Sequence, residues 1–132
     1  MKWFADTSFF VAYFAPRDRY HSVAERLMLD SIDPIITTQW VLAEFGNYLS
    51  SGNQRRRFVP FVRALLKNPR FLVMPADSPS FFEAIDLYDN RADKQWSFTD
   101  CSSFLAMKRH KIEEALTTDH HFEQAGFKIL LK

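Results

Sequence analysis

Cysteine, glycine and proline are scarce in this chain, and neither sign of charge dominates. Its 132 residues include one cysteine, three glycines and six prolines, and 17 Lys and Arg stand against 16 Asp and Glu. A lone Cys101 excludes an intrachain disulfide and a cysteine-rich zinc site. The few glycines and prolines exclude long flexible linkers. A net charge of +1 excludes a polybasic protein of the histone kind, although it leaves room for a locally basic groove.

Long apolar segments are also missing. The longest candidate, residues 9–15, is shorter than the about 18 residues that a membrane span requires. Asp6, Thr7 and Ser8 interrupt the approach to it, so it makes a poor signal sequence as well. We therefore expect no membrane association, and the single cysteine favours a reducing, cytoplasmic location.

The composition is that of an ordinary globular domain. Hydrophobic residues make up 47% of the chain and charged residues 25%, close to the average for soluble domains. The length fits one domain better than two. We therefore expect residues 1–132 to form a single domain with a sizeable core.

Aromatic residues are abundant, at 16% of the chain with 14 phenylalanines. Most of them should lie in the core. Phe9, Phe10, Tyr13 and Phe14 nevertheless exceed what one short helix needs to bury. We expect this surplus to contribute to a homodimer interface.

Short apolar runs alternate with segments of helical periodicity along the chain. The predicted strands cover residues 2–6, 35–37, 71–74, 115–118 and 127–131. The predicted helices cover residues 7–14, 20–29, 39–50, 54–67, 78–88, a segment capped by Thr99, and 120–124. Thr38 and Ser78 are the predicted N-caps of the helices at 39–50 and 78–88, and Gly126 is predicted to end the last helix. This alternation predicts an α/β fold, with a parallel β-sheet flanked by α-helices on both faces.

Four acidic residues occupy positions where such a sheet binds ligands. Asp6 and Asp119 each follow a predicted strand, and Asp100 lies in the first turn of a helix, where an anion is favoured. Glu44 lies on the apolar side of its helix, where an unpaired charge is unfavourable. An Asp after a strand is also a common N-cap, so helix capping remains an alternative for Asp6 and Asp119.

Acids from separate elements that meet at one sheet edge favour a hard divalent cation. Ligands of open parallel sheets bind beyond the carboxyl ends of the strands. Mg²⁺ and Mn²⁺ select carboxylate oxygens, retain water and bridge to phosphates. Such an ion orients an attacking water and stabilises charge on a phosphodiester oxygen. The four acids therefore predict a metal site suited to phosphodiester hydrolysis.

The same residues carry a resemblance to a known family. The resembling segments are Asp6-Thr7-Ser8, Val41-Leu42-Ala43-Glu44, Ser97-Phe98-Thr99-Asp100-Cys101 and residues 117–127, of which the last is the most specific. Together they resemble PIN-domain proteins, and in particular the VapC-like toxin ribonucleases of type II toxin–antitoxin systems.

This resemblance implies a fold, an activity and partners. It implies a PIN-like domain acting as an Mg²⁺- or Mn²⁺-dependent endoribonuclease, in which metal-activated water attacks RNA. By the same resemblance, Asp6, Glu44, Asp100 and Asp119 are the catalytic and metal-binding residues. Family members commonly dimerise and bind a small antitoxin, so both partners are expected here.

Residues near these acids are expected to support them. Thr7, Ser8 and Thr99 are placed to hydrogen-bond the acids or metal-bound waters. Asp93 also fits a pattern common in the resembling branch, but its predicted loop position indicates a peripheral role.

The basic and histidine residues carry weaker signals. Adjacent histidines at a helix start are expected to point in different directions, and no soft ligands lie nearby in the sequence. We therefore expect His120 and His121 to make surface or phosphate contacts rather than to bind zinc. A basic run on a helix is most often a solvated face, but this one is a candidate RNA contact. Its members are Arg55, Arg56, Arg57, Arg63, Lys67 and Arg70.

Two other functions compete with the ribonuclease. One is a catalytically silent module on the same fold that binds nucleic acid or protein, which the complete set of acids disfavours. The other is phosphoryl transfer to an aspartate, as in receiver domains or haloacid-dehalogenase-like phosphatases. Those proteins need paired acids after the first strand or an Asp-x-Asp motif, and Asp6-Thr7-Ser8 supplies neither.

Overall fold

Strands and helices alternate along residues 2–132, which are the residues described by this computed structural model. Within that range the strands are β1 (Trp3–Ala5), β2 (Ile35–Thr38), β3 (Phe71–Met74), β4 (Glu114–Leu116) and β5 (Lys128–Ile129). The α-helices are α1 (Thr7–Phe14), α2 (His21–Asp30), α3 (Gln39–Tyr48), α4 (Arg55–Lys67), α5 (Ser78–Asn90), α6 (Phe98–Arg109) and α7 (His120–Gln124). A 3₁₀ turn, Gly52–Gln54, precedes α4.

The strands form one parallel sheet in the order β3-β2-β1-β4-β5. Trp3 of β1 is in register with Ile35 of β2 on one side and with Glu114 of β4 on the other. All four residues of β2 are buried. Because successive side chains of a strand point to opposite faces, both faces of the sheet are covered there. The predicted α/β fold with a parallel sheet is confirmed.

The strand order reverses direction at β1, which fixes where a ligand is expected. The chain moves outward from β1 through β2 to β3, and then returns to the other side of β1 with β4 and β5. A switch of this kind opens a crevice at the carboxyl ends of the two central strands. β1 ends at Ala5 and β4 ends at Leu116, so the residues just after them lie at this crevice.

The aromatic residues of α1 fill the core of this chain. Phe9 and Phe10 are fully buried, and Phe14 is 8% exposed. The Phe10 ring lies 5.8 Å from that of Phe45 in α3 and 6.5 Å from that of Phe61 in α4. The prediction of a surplus for a homodimer interface is therefore wrong for Phe9, Phe10 and Phe14, which are buried within the chain, whereas Tyr13 is half-buried.

Two helix starts differ from the prediction. Asp77, rather than Ser78, caps α5, because its side chain accepts a hydrogen bond from the backbone N–H of Ser80 at 2.9 Å. Ser97, rather than Thr99, caps α6 and accepts from the backbone N–H of Asp100 at 2.9 Å. The Asp100 carboxylate accepts in return from the N–H of Ser97, and this reciprocal capping box fixes the helix start two residues earlier.

None of the helices described across residues 2–132 is long and apolar enough to span a membrane.

The buried aromatic cluster predicts the effect of core truncation. Phe10→Ala should lower the free energy of unfolding by about 3–5 kcal/mol, because it removes a ring that neighbouring helices cannot replace. Phe82→Ala is the matched control, since Phe82 in α5 is 63% exposed, and it should change stability by less than about 1 kcal/mol. Urea unfolding measures both values. Equal losses for the two variants would contradict the placement of α1 in the core.

Candidate metal centre

Four acidic side chains from separate elements converge at the carboxyl edge of the sheet. Asp6 directly follows β1, and Asp119 follows β4 through Thr117 and Thr118. Asp6, Glu44 of α3 and Asp119 line one open cleft of about 520 Å³. Asp100, in the first turn of α6, lies close enough to Asp6 for its negative charge to raise the pKa of that carboxyl. The convergence predicted from the sequence is thus observed.

Asp6 is the most buried member of this acid cluster, at 6% exposure. Its carboxylate accepts a hydrogen bond from Thr117 Oγ1 at 2.9 Å. The Asp6 side chain makes no capping hydrogen bond to α1, so the alternative that Asp6 serves as a helix cap is wrong. Its pKa is raised to about 7, mainly by burial and further by the negative charges of Asp100 and Glu44. Hydrogen bonds from the backbone N–H of Thr7 and from the Thr117 hydroxyl act in the opposite direction. Asp6 therefore lies in a site that disfavours its negative charge unless a cation is present.

Asp100 and Asp119 combine capping with a place in the acid cluster. Oδ2 of Asp100 accepts from the N–H of Ser97 at 3.0 Å, and Oδ1 of Asp119 accepts from the N–H of His121 at 2.9 Å. The capping interpretation therefore holds for Asp119. Each carboxylate has a second oxygen and further lone pairs, so capping leaves both able to ligate a cation.

Glu44 lies at the edge of the buried face of α3. Val41 and Phe45 are buried, whereas Glu44 is half-buried and Tyr48 is 65% exposed. The buried, apolar face of α3 therefore does not include Tyr48. The Thr7 hydroxyl donates a hydrogen bond to the Glu44 carboxylate. Glu44 thus faces the cleft, where a bound cation can compensate its charge.

The residues predicted to support the acids differ in how directly they do so. Thr7 contacts Glu44 directly, as described above. Ser8 Oγ lies 3.1 Å from Thr117 Oγ1, so Ser8 reaches Asp6 only through Thr117. Thr99 lies in the first turn of α6, and its carbonyl accepts a hydrogen bond from Ser102 Oγ at 2.7 Å.

Asp93 lies outside the cleft. It is exposed in the loop between α5 and α6, and both its carboxylate oxygens bind the Arg91 guanidinium, at 3.0 and 3.1 Å. Arg91 lowers the pKa of the Asp93 carboxyl. This placement agrees with the peripheral position expected from the sequence.

Several residues at the site were not predicted from the sequence, and His121 was predicted only as a surface or phosphate contact. Thr117 holds Asp6, and His121 Nδ1 lies 3.1 Å from Asp100 Oδ2 and 3.5 Å from Asp119 Oδ1. Arg19 and Tyr20, from the loop between α1 and α2, line the cleft. The His120–His121 pair directly after Asp119 was a usable signal for His121. The loop residues gave no local signal, because only the tertiary fold brings them to the acids.

The two histidines do not point apart. Their ring centroids are 4.6 Å from each other. Among the His, Cys, Asp and Glu side chains of residues 2–132, one group of three has its potential metal-binding atoms all within 4.8 Å of one another. This group is Asp119, His120 and His121. The expectation of divergent side chains is therefore wrong. The four acids, by contrast, are more loosely spaced, which fits Mg²⁺ or Mn²⁺ because these ions retain several waters.

The basic residues of α4 lie on an exposed face. Arg55, Arg56, Arg63 and Lys67 are all exposed, and none of them lines the acidic cleft. Arg70, which follows α4, connects other segments of the chain instead. It is half-buried and donates hydrogen bonds to the carbonyls of Asp33 and Met28, both at 2.8 Å. The suggestion that Arg70 follows an RNA backbone is therefore wrong.

Comparison with known proteins agrees with this arrangement. The family model for the PIN domain matches residues 3–128. The 23S rRNA-specific endonuclease VapC20 of Mycobacterium tuberculosis (strain ATCC 25618 / H37Rv) is 29% identical over 125 residues, which cover 94% of both chains.

Solved structures give the same result. The crystal structure of Mycobacterium tuberculosis VapC20, a sarcin–ricin loop cleaving toxin, superposes with a TM-score of 0.85 at 26% identity and covers 96% of each chain. FitAcB from Neisseria gonorrhoeae has a TM-score of 0.69 at 16% identity, covering 98% of this chain and 96% of its own, so it shows likeness of fold alone. A homologue of VapC20 by sequence and by structure, this chain belongs to the PIN-domain family of nucleases.

Proposed function

We propose that this chain is a divalent-metal-dependent endoribonuclease that acts as the toxin of a toxin–antitoxin pair. The observation that carries the proposal is the convergence of Asp6, Glu44, Asp100 and Asp119, with the pKa of Asp6 raised to about 7. Clustering like charges around a buried carboxyl is unfavourable unless a cation binds there. We assign the whole chain, residues 1–132, to this single catalytic domain.

The four acids would hold Mg²⁺ or Mn²⁺, since their oxygens are the donors that these ions prefer. Such a cation supplies the positive charge that stabilises a phosphodiester oxygen and makes a bound water more acidic. The protein orients the acids. Thr117 holds Asp6, Thr7 holds Glu44, and the capping bonds hold Asp100 and Asp119. Orientation by such outer contacts is what keeps a metal site ready to bind.

The open cleft also suits a nucleic acid. Arg19, Tyr20 and Tyr48 line the same cleft as the acids. A guanidinium binds a phosphate bidentately, and aromatic rings stack on unpaired bases. We propose that Arg19 contacts a phosphate near the scissile bond, and that Arg55, Arg56, Arg63 and Lys67 on α4 contact more distant phosphates.

The description of VapC20 suggests the substrate and, because VapC20 is called a toxin, an antitoxin partner. That protein is a 23S rRNA-specific endonuclease and a sarcin–ricin loop cleaving toxin. We propose that this chain cleaves a structured ribosomal RNA loop in the cytoplasm. We also propose a homodimer and a small antitoxin partner. Exposed apolar side chains on α5, among them Phe82 at 63% and Tyr88 at 53%, offer one surface for such a partner.

The competing functions receive less support. A silent binding module does not need four intact acids or the hydrogen bonds that orient them. Phosphoryl transfer to an aspartate needs paired acids after the first strand or an Asp-x-Asp motif, and Asp6-Thr7-Ser8 supplies neither.

The catalytic proposal predicts loss of cleavage when an acid is neutralised. Asp6→Asn and Asp100→Asn should each lower the cleavage rate of a sarcin–ricin-loop RNA by about 100-fold or more, on the scale of losing one transition-state stabilising group. EDTA should abolish cleavage, and Mg²⁺ or Mn²⁺ should restore it. Asp93→Asn is the matched control, since Asp93 lies outside the cleft. Full activity in EDTA, or in both site variants, would overturn the proposal.

The raised pKa of Asp6 predicts a pH dependence of stability. Its value of about 7 in the folded protein exceeds the ordinary 3.8. Between those values the folded state binds more protons than the unfolded state, so the free energy of unfolding falls as pH rises through this interval. In EDTA the wild type should lose about 2–4 kcal/mol more than Asp6→Asn between pH 4 and pH 8. Saturating Mn²⁺ at pH 8 should restore the wild type. Urea unfolding curves measure this, and identical pH slopes for the two proteins would contradict it.

The proposed phosphate contact predicts a split in kinetic parameters. Arg19→Ala should raise KM for the RNA about tenfold, on the scale of the about 1.5 kcal/mol of a hydrogen bond to a charged group, with a smaller effect on kcat. Arg17→Ala is the matched control, because Arg17 is exposed on the same loop but does not line the cleft. Steady-state kinetics at fixed ionic strength separate the two parameters. An equal effect of both variants would show that Arg19 contributes only general positive charge.

A further inference from the structure

The start of α7 places two imidazoles beside two carboxylates. Nδ1 of His121 lies 3.5 Å from Oδ1 of Asp119 and 3.1 Å from Oδ2 of Asp100. Nδ1 of His120 lies 3.8 Å from the same Asp119 oxygen. These four side chains combine nitrogen and oxygen donors, whereas the four acids of the cleft offer oxygen alone.

The spacing of these donors resembles that of a tetrahedral metal site. Zn²⁺ binds nitrogen and carboxylate oxygen at about 2.0–2.2 Å, so neighbouring donors of a tetrahedral site are separated by about 3.3–3.6 Å. The three separations of 3.1, 3.5 and 3.8 Å lie around this interval. The ligand atoms of Asp119, His120 and His121 all lie within 4.8 Å of one another, and Asp100 joins this group through its contact with His121. The His120 side chain is 71% exposed, so it can turn toward an ion without disturbing the core.

We propose that Asp119, His120 and His121, together with Asp100, form a site for Zn²⁺. Imidazole nitrogen suits zinc and is a poor ligand for Mg²⁺, and a mixed nitrogen and oxygen site binds Zn²⁺ more tightly than Mn²⁺. His120 is exposed, and its ring lies against Asp119 and His121 of this group.

Occupation of this zinc site inhibits the ribonuclease. Asp100 and Asp119 are shared between the zinc site and the acid cluster, so a carboxylate turned toward zinc is lost to the catalytic cation. This step rests on the proposed function, because it assumes that the acid cluster binds the catalytic cation. Zinc binding itself does not depend on that assumption. The expected behaviour is inhibition by micromolar Zn²⁺ in the presence of millimolar Mg²⁺.

The binding test uses untagged, metal-free full-length protein and needs no catalytic activity. Calorimetric titration with Zn²⁺ should give one ion per chain, and Co²⁺, used as a probe, should give the visible absorption of a tetrahedral site. His120→Ala should weaken Zn²⁺ binding by about 10-fold or more, and the double variant with His121→Ala should weaken it further. The matched control is His110→Ala, since His110 follows the other end of α6 from Asp100.

Equal Zn²⁺ affinity in wild type, His120→Ala and the double variant would overturn the zinc site. Octahedral Co²⁺ spectra that do not change in the histidine variants would do the same. Circular dichroism checks that each variant is folded, and His120→Ala tests the site even if the double variant unfolds, because His120 is exposed.

The inhibition test compares each protein with its own rate in Mg²⁺ alone. Wild type and His110→Ala should lose activity on addition of Zn²⁺, and His120→Ala should need about 10-fold or more Zn²⁺ for the same loss. Inhibition that is identical in all three proteins would overturn the regulatory role. If no protein cleaves RNA but the histidine variants still lose Zn²⁺ affinity, the proposed function fails and the zinc site stands.

Discussion

Electrostatic repulsion among the acids at the carboxyl edge of the sheet is the constraint on which the site depends. The fold brings Asp6, Glu44 and Asp119 to one cleft, with Asp100 beside Asp6. Hydrogen bonds from threonine hydroxyls and from backbone N–H groups orient the carboxylates but do not neutralise their charge. The raised pKa of Asp6 is the consequence, since burial and two like charges disfavour its ionised form. A protein that keeps such an arrangement trades stability for a binding site.

The topology explains why these four acids meet. Asp6 and Asp119 follow β1 and β4, which are hydrogen-bonded neighbours, so their positions are coupled through the sheet. Asp100 is fixed by the start of α6, and Glu44 by the middle of α3, two helices that contact each other. Glu44 and Asp100 lie within helices, and Asp6 and Asp119 directly precede helices that follow strands. Regular elements thus anchor each acid, which keeps the site rigid enough to orient ligands.

Local signals in the sequence were sufficient for most elements. Thr38 was predicted to cap α3, and its hydroxyl accepts from the N–H of Val41 at 3.1 Å. Gly126 was predicted to end α7, and it has a φ of 96° that only glycine adopts readily. The start of α6 was misplaced because both Ser97 and Thr99 are good caps. The choice between them depends on the reciprocal bond with Asp100, which a pattern of residue types does not reveal.

The site was predictable only in part, for a physical reason. Asp6 and Asp119 follow strand ends, Asp100 lies in the first turn of a helix, and Glu44 stands out on an apolar helix face. Such positions are visible in the sequence. The contacts of Arg19 with the cleft and of His121 with Asp100 depend on how distant segments pack. The burial of Phe10 and Phe14 likewise depends on the packing of α3 and α4 against them, so composition alone wrongly assigned these rings to an interface.

The most direct test of the account is to locate the metal. Crystals soaked in Mn²⁺ and measured at an X-ray wavelength where manganese scatters anomalously show the position of each bound ion. The account predicts an anomalous peak in the cleft, in direct contact with a carboxylate oxygen of Asp6 and of at least one of Glu44, Asp100 and Asp119. Manganese bound elsewhere on the protein, with no peak in contact with Asp6, would contradict it.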